Sequence, residues 1–357
     1  MQIKKIAYAV ALCSSVNAYA IEDFNINVYS TLDFGMVYRA GDDTTAPAGS
    51  QVDWESGVRS GSFLGVQGNQ KISEDNTFIF KLESGFDLDD GTSTYGDDSI
   101  FGRQAWAGFT GSWGTAIAGR MDGGRASIAR DYDPFGEGTV GNMSSTLIVV
   151  PRADQAVAYV SPRYNGWGII AAYTNTLVGQ EGTGNEGDNR VYAIIPSYKD
   201  GPLSLTFDFE HSWNAKSDAA QLYLGILAGS YDFGPFKLFG YYEEVHIEKD
   251  PAVLLGDQAA FMIGAQVPVG DSGLIKLSAL RSDNKSMDYT CDKWSIGYEK
   301  EFNKGLVFYT NATTIDNNDN AQCTVGYSHN QVAHGTGAGG YGDFGLDIGI
   351  SYSFDLY

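Results

Sequence analysis

The sequence predicts an all-β fold, an antiparallel transmembrane β-barrel of about 16 strands. Three observations point to it. The first is the final stretch, Gly342–Tyr357, where Phe344, Leu346, Ile348, Ile350, Tyr352, Phe354 and Leu356 share one face of a period-two strand. Gly345, Asp347, Gly349, Ser351, Ser353 and Asp355 share the other. A strand that regular needs one apolar and one wet environment, as when lipid lies outside and water inside. The second is an export leader on a chain without any apolar run of ~18 residues, the length a membrane helix needs. The third is a rhythm of strand, long polar loop, strand and tight turn, which a soluble sandwich has no reason to keep.

The leader is Met1–Ala20. Lys4 and Lys5 give its positive end, Ile6–Leu12 its apolar core, and Ala18-Tyr19-Ala20 its cleavage site. The barrel is expected over 21–357. Acidic residues number 44 against 23 basic ones, which argues against nucleic acid as a partner, since phosphates need a basic face. Abundant Tyr, Phe and Gly suit many strands with aromatic girdles at the membrane boundaries. Of the three cysteines, Cys291 and Cys323 survive cleavage. An exported compartment permits a disulfide between them; the alternative is two separate small side chains.

Asn25–Arg39 reads as the first strand, with Ile26, Val28, Leu32, Phe34 and Met36 opposite Asn25, Asn27, Asp33 and Arg39. Gly41–Gly57 is polar and reads as a long external loop. Ser62–Gly68 and Thr77–Phe86 follow as strands, the latter with Phe78, Phe80 and Leu82 opposite Lys81 and Glu83. Asp87–Ser99 is a second acidic loop. Ile100–Thr110 and Thr115–Asp122 are strands joined by the tight turn Gly111–Gly114. Further strands are expected at Leu203–Glu210, Gln221–Tyr231, Phe236–His246, Ala259–Val267, Leu274–Arg281, Lys293–Phe302 and Leu306–Ile315. Short turns such as Lys199-Asp200-Gly201-Pro202 and Phe302-Asn303-Lys304-Gly305 separate them from long loops. Asp122–Asp154 stands apart, because a connection that long in a compact protein is usually functional. A barrel this wide encloses water, and an inward loop narrows it.

Phe78-Ile79-Phe80-Lys81-Leu82-Glu83-Ser84-Gly85-Phe86, Phe101-Gly102-Arg103-Gln104-Ala105-Trp106, Gly111-Ser112-Trp113-Gly114-Thr115 and Ala118-Gly119-Arg120 resemble the Gram-negative general porins. The likeness is to the trimeric outer-membrane porins of beta-proteobacteria and neisseriae. Arg152-x-Asp154-Gln155-x-Val157-x-Tyr159-x-Ser161-Pro162 is similar to that family's sixth strand. Gly349-x-x-Tyr352-x-Phe354 resembles the C-terminal insertion signal of outer-membrane barrels; Asp355-Leu356-Tyr357 follow it, as a short tail or with Tyr357 as the terminal aromatic. The resemblance implies a homotrimer of ~16-stranded barrels, each with an infolded third loop, in the outer membrane among lipid and lipopolysaccharide. It implies passage of small hydrophilic solutes and ions, with no cofactor and no enzymatic turnover.

Carried over by position, Arg103, Arg120 and Arg152 match basic residues on the wall of the constriction. Parity places Arg103 with Ala105 and Ala107, and Arg120 with Ala116 and Ala118. Asp131, Asp133 and Glu137 lie in the third loop, where the family places acids. Opposed rows of charge make a transverse field that sets ion preference. In Ser62-Phe63-Leu64-Gly65-Val66-Gln67-Gly68 two lumen cations of the family pattern are missing, and Arg59 and Lys81 are candidates to replace them. The expectation is anion preference at the constriction with low overall selectivity. Tyr132 and Phe135 are expected to anchor the loop. Asp87-Leu88-Asp89-Asp90 and Asp316–Asp319 lack a full calcium motif. Gly337–Gly342 fits GxGxxG without the strand and helix that motif needs, so it reads as a loop. His211, His246, His329 and His334 form no nucleophile–base chain with their neighbours. The alternatives are a channel selective for sugars or organic acids, and a structural or adhesive barrel.

Overall fold

The computed structural model describes residues 24–41, 49–95, 99–136, 138–147, 152–177, 189–214, 221–248, 257–286, 288–318, 321, 323–326 and 342–356. The leader and Glu137 lie outside them, as do His329, His334 and most of the glycine-rich 337–342 stretch. The strands are β1 (Phe24–Gly41), β2 (Gly49–Ser56), β3 (Phe63–Lys71), β4 (Thr77–Gly85), β5 (Gln104–Gly111), β6 (Gly114–Asp122), β7 (Arg152–Val160), β8 (Trp167–Leu177) and β9 (Asn189–Asp200). They continue as β10 (Leu203–Asn214), β11 (Gln221–Asp232), β12 (Lys237–Glu248), β13 (Gln258–Val269), β14 (Gly273–Asn284), β15 (Tyr289–Asn303), β16 (Leu306–Asn317) and β17 (Phe344–Leu356). Between β6 and β7 lie a helix, α1 (Gly124–Tyr132), and a short 3-10 turn, Met143–Thr146.

All paired neighbours are antiparallel, and β1 pairs with β17 from Val28↔Leu356 to Ala40↔Phe344, so the sheet closes. Seventeen segments fill 16 positions because β2 and β3 share one. β2 pairs with the upper half of β1, Phe34↔Ser56 to Gly41↔Gly49, and β3 with the lower half, Phe24↔Gln70 to Thr31↔Phe63. This corrects the reading of Gly41–Gly57 as loop. The β1–β2 hairpin is polar because it rises beyond the lipid, yet it keeps its alternation: Val52 and Trp54 are exposed on one face, while Asp53 pairs with Arg39 at 2.7 Å on the other. Gly57 breaks the strand at φ +71°, where L side chains are strained, and its N–H bonds the Asp33 carbonyl. The break carries Arg59 into the lumen.

β17 follows its sequence pattern. Leu346, Ile348, Ile350 and Tyr352 are exposed outward, and Asp347 and Ser351 are buried inward. Aromatic rings gather at the short-turn end, with Trp113 stacked on Tyr159 and Phe233 on Phe236. Several strands outrun their expected ends: β10 reaches Asn214 and β14 reaches Asn284.

The apolar core lies inside the barrel, under the long connection. Ile128, Ala129, Tyr132, Met143 and Leu147 pack on Ala193, Ile195, Leu224, Ile226, Phe239, Tyr241, Val245, Met262 and Leu280 of β9 and β11–β14. Burying each large side chain stabilises by ~1.5–3 kcal/mol, so the connection is held as a second layer against the wall. A second cluster joins Val140 of the connection to Val37, Val58, Tyr309 and Val325. It contains the disulfide Cys291–Cys323, with Cα atoms 6.3 Å apart. Asn317 clamps Cys323 from both sides, accepting its N–H and donating to its carbonyl, each at 3.0 Å.

Candidate functional site

The connection from β6 to β7 crosses the lumen on polar anchors spread along its length. Arg125 of α1 forks onto Glu243 of β12, whose carboxylate also accepts from Tyr241 Oη at 2.6 Å. The Arg125 and Glu243 side chains are 8% and 0% exposed, so this charge-assisted pair is out of water. Tyr132 Oη shares hydrogen bonds with Ser204 Oγ and Thr206 Oγ1, both at 2.8 Å. Phe135 is 2% exposed. Both aromatics therefore anchor the loop, as the sequence suggested.

Beyond the helix, Asp133 clasps the loop to itself. Its carboxylate accepts from the Phe135 N–H at 2.9 Å and the Met143 N–H at 2.6 Å. Burial pushes the Asp133 carboxyl up to about 6, against the pull of those two N–H groups and of Lys293 and Lys276. Gln266 Nε2 donates to the Pro134 carbonyl at 2.8 Å. Lys293 Nζ donates to the Asn142 carbonyl, and Asp347 accepts the Val140 N–H at 2.8 Å. The chain thus runs from β6, over β10–β14, to β17 on the far side.

Beside it a cavity of about 640 Å³ remains open. From the wall, five basic residues line it: Arg59, Lys81, Arg103, Lys237 and Lys276. They face two wall carboxylates, Glu83 and Glu299. Each carboxylate serves two cations. Glu83 accepts from Lys81 at 2.9 Å and Arg103 at 3.3 Å. Glu299 accepts from Arg59 at 3.0 Å and also from Lys276. On the loop side stand Arg130, Asp131 and Asp133, with Asp122 at the end of β6. The Asp131 side chain is 66% exposed and Asp133 is buried, so of these two it is Asp131 that meets water.

The structure thus brings Arg59, Lys81, Arg103, Asp131 and Asp133 together around one cavity. Arg120 and Arg152 do not line it. Arg120 binds Asp154 and the Gly102 carbonyl, Arg152 binds Asp122 at 2.7 Å, and both lie near the Tyr95 ring. Arg152 also lines a smaller cavity of about 150 Å³ behind α1. The parity argument for Arg103 and Arg120 is corrected as well. Ala105 and Ala107 pair with Leu82 and Phe80, which places them on the outer face, and Trp106 pairs with Lys81 on the inner one. Arg103 reaches Glu83 because it precedes β5, outside the alternation. Arg120 escapes it at a register shift between Gly119 and Met121.

Lys237, Lys276 and Arg130 were missed. For Lys276 a signal existed: it stands between Ile275 and Leu277 in an apolar strand, and a cation facing lipid at mid-membrane costs about 2–4 kcal/mol, so it must face inward. Of the acidic stretches, Asp90 bonds Thr92 and Asp87 bonds Thr94. Among the described residues no group of three His, Cys, Asp or Glu side chains is placed to hold a metal.

Residues 6–320 match the family model of the Gram-negative porins. An outer membrane porin protein of Bordetella pertussis is 28% identical over 264 residues, covering 66% of this chain and 68% of that protein. Outer membrane porin protein 32 of Delftia acidovorans is 24% identical over 367 residues, 99% of this chain and 100% of that one. The solved anion-selective porin of Comamonas acidovorans shares the fold at a TM-score of 0.77, with 23% identity, covering 93% of this chain and all of its own. A closed barrel with an apolar exterior, a charged lumen and this match along most of its length makes the chain a member of the Gram-negative porins, an outer-membrane β-barrel.

Proposed function

We propose that this porin is a passive diffusion channel for small hydrophilic solutes and ions, that the loop built on α1 and residues up to 147 sets its narrowest point, and that this point favours anions. The observation that carries the reading is the arrangement of charge around the cavity, where Arg59, Lys81, Arg103, Lys237 and Lys276 on the wall stand with Glu83 and Glu299, and Asp122, Asp131 and Asp133 gather with Arg130 on the loop side, six basic residues against five acidic ones. Such a surplus in a confined lumen raises the local anion concentration. Arg59, Lys81 and Arg103 supply it, with Lys237 and Lys276 beyond the sequence set; Asp131 on the loop gives the opposing edge. The anion selectivity named for the Comamonas porin agrees with this sign. Acidic residues in the outer loops draw cations to the mouth, so net selectivity is low. No turnover is involved.

We further propose a homotrimer within outer-membrane lipid and lipopolysaccharide. Ala107, Ala116, Ala118 and Ala171 leave a shallow outer face that supports close packing against a neighbouring barrel. The purified protein in planar bilayers is expected to insert with conductance steps in threes, and liposome swelling is expected to slow with solute size. A closed, silent barrel would refute the channel, and single independent steps would refute the trimer.

A further inference from the structure

One row of side chains crosses four neighbouring strands on the lumen face. Asn27 on β1 lies opposite Gln67 on β3, Gln67 opposite Lys81 on β4, and Lys81 opposite Trp106 on β5. Directly opposed residues on paired strands have Cβ atoms ~4.5–5.5 Å apart, so two amides, one ammonium and one indole form a continuous strip. The strip sits where the charged cavity gives way to a second one of about 700 Å³. The side chains lining this second cavity carry no charge: Asn25, Asn27, Gln67, Asn69, Ile79 and Trp106 among them.

Each member is set for a distinct contact. The Trp106 Nε1–H is taken by Gln104 Oε1 at 2.7 Å, which fixes the indole and leaves its flat apolar face as the contact surface. Asn27 Oδ1 is enclosed, so Asn27, which lines the second cavity, meets a solute through its amide N–H2. Gln67 is exposed to the lumen, and an amide both donates and accepts, as a hydroxyl does. Lys81 has three donors; one is used on Glu83, which Arg103 and the Tyr29 hydroxyl also occupy. Its remaining donors suit a solute carboxylate.

We propose that this strip is a binding site for small polyhydroxylated carboxylates, that is, sugar acids. Lys81 takes the carboxylate, Gln67 exchanges hydrogen bonds with the hydroxyls, Asn27 donates to them, and the C–H face of the carbon chain packs on Trp106. Chloride can accept from Lys81 and the amide N–H groups, but it has no hydroxyl to donate and no C–H face for Trp106. The inference rests on the reading of the lumen as a diffusion path, and it adds a saturable step to it.

The test is the single-channel KCl current with gluconate added on one side. The control is an oligoether carboxylate of similar length that has no hydroxyl groups. Gluconate is expected to reduce the current to a plateau, and the control to reduce it in proportion to concentration. Trp106→Ala is expected to raise the half-saturating gluconate concentration about tenfold, the loss of one aromatic contact. Trp106 also packs on the Met121 and Ala156 cluster. Gln67→Leu, at an exposed position, is therefore the arm free of packing effects, with an expected rise of about threefold to tenfold. A current without a plateau, a control that blocks as well as gluconate, or a half-saturation unmoved by both substitutions would overturn the proposal. A cation-signed reversal potential in the same membranes would overturn the anion reading instead, so the two failures are told apart.

Discussion

Arg125→Met isolates what holds the loop across the lumen. In the native protein Arg125 neutralises Glu243, whose side chain is 0% exposed. The substitution keeps a side chain of similar length and removes the charge, leaving Glu243 with the Tyr241 hydroxyl. Glu210 is also close, since a Cβ on neighbouring Gly124 would stand 2.7 Å from its Oε1. Removing one partner of a buried ion pair costs about 3–5 kcal/mol. Applied to the docking equilibrium of α1, that is a fall of about two to four orders of magnitude in its closed-to-open ratio, at 1.4 kcal/mol per tenfold. The assay is hydrogen exchange over 124–132 in detergent-purified protein, with open-channel current noise beside it. Protection is expected to fall and noise to rise. The double variant Arg125→Met with Glu243→Leu is expected to recover most of the loss, because replacing both members of a buried pair by apolar groups is often neutral. Native protection in the single variant, or a double variant as loose as the single one, would show that this pair does not fix the loop.

Three further outcomes are expected. Replacing Arg59, Lys81 and Arg103 together by Ala is expected to move the reversal potential toward cations, whereas Arg120→Ala, whose partner Asp154 is away from the cavity, is expected to leave it nearly in place; equal shifts would contradict the assignment. Cys291→Ser with Cys323→Ser opens a crosslink spanning 32 residues, for which the chain-entropy argument gives about 2–4 kcal/mol; the unfolding midpoint is expected to fall, with proteolysis of the β16–β17 connection faster. Asp133 carries a carboxyl raised from 3.8 to about 6, so the folded loop holds its proton more tightly than the unfolded chain does. Its contribution to loop docking is thus fully present below pH ~4 and is lost as pH rises through ~6, and exchange at the Phe135 and Met143 amides, corrected for intrinsic rate, is expected to speed up over that window.

The fold was legible because a membrane barrel leaves its pattern in single strands. β17 could be assigned face by face, since lipid and water meet every second residue. β11 shows where that logic stops. Leu222, Leu224 and Ile226 point inward and are apolar, because α1 covers them rather than water. A strand apolar on both faces was the available sign that something packs inside. The charge cluster was half legible. Lys81 and Glu83 lie in a regular strand, so parity placed them correctly. Arg103 and Arg120 sit at a strand start and a register shift, where parity carries no information. Arg59 reached the lumen through the break at Gly57, which composition alone described as loop. Lys237, Lys276 and Glu299 meet through the register of β12–β15, with Lys237 opposite Gln266 and Gln266 opposite Lys276, and reach Arg59 only through closure of the barrel, relations no local window contains.

The zero-current potential of the wild-type protein in a KCl gradient reports the sign of the fixed charge where the path is narrowest. Six basic residues against five acidic ones around the cavity, the basic ones gathered on the wall, predict a potential drawn toward the chloride equilibrium value. A potential drawn toward that of potassium would contradict the account.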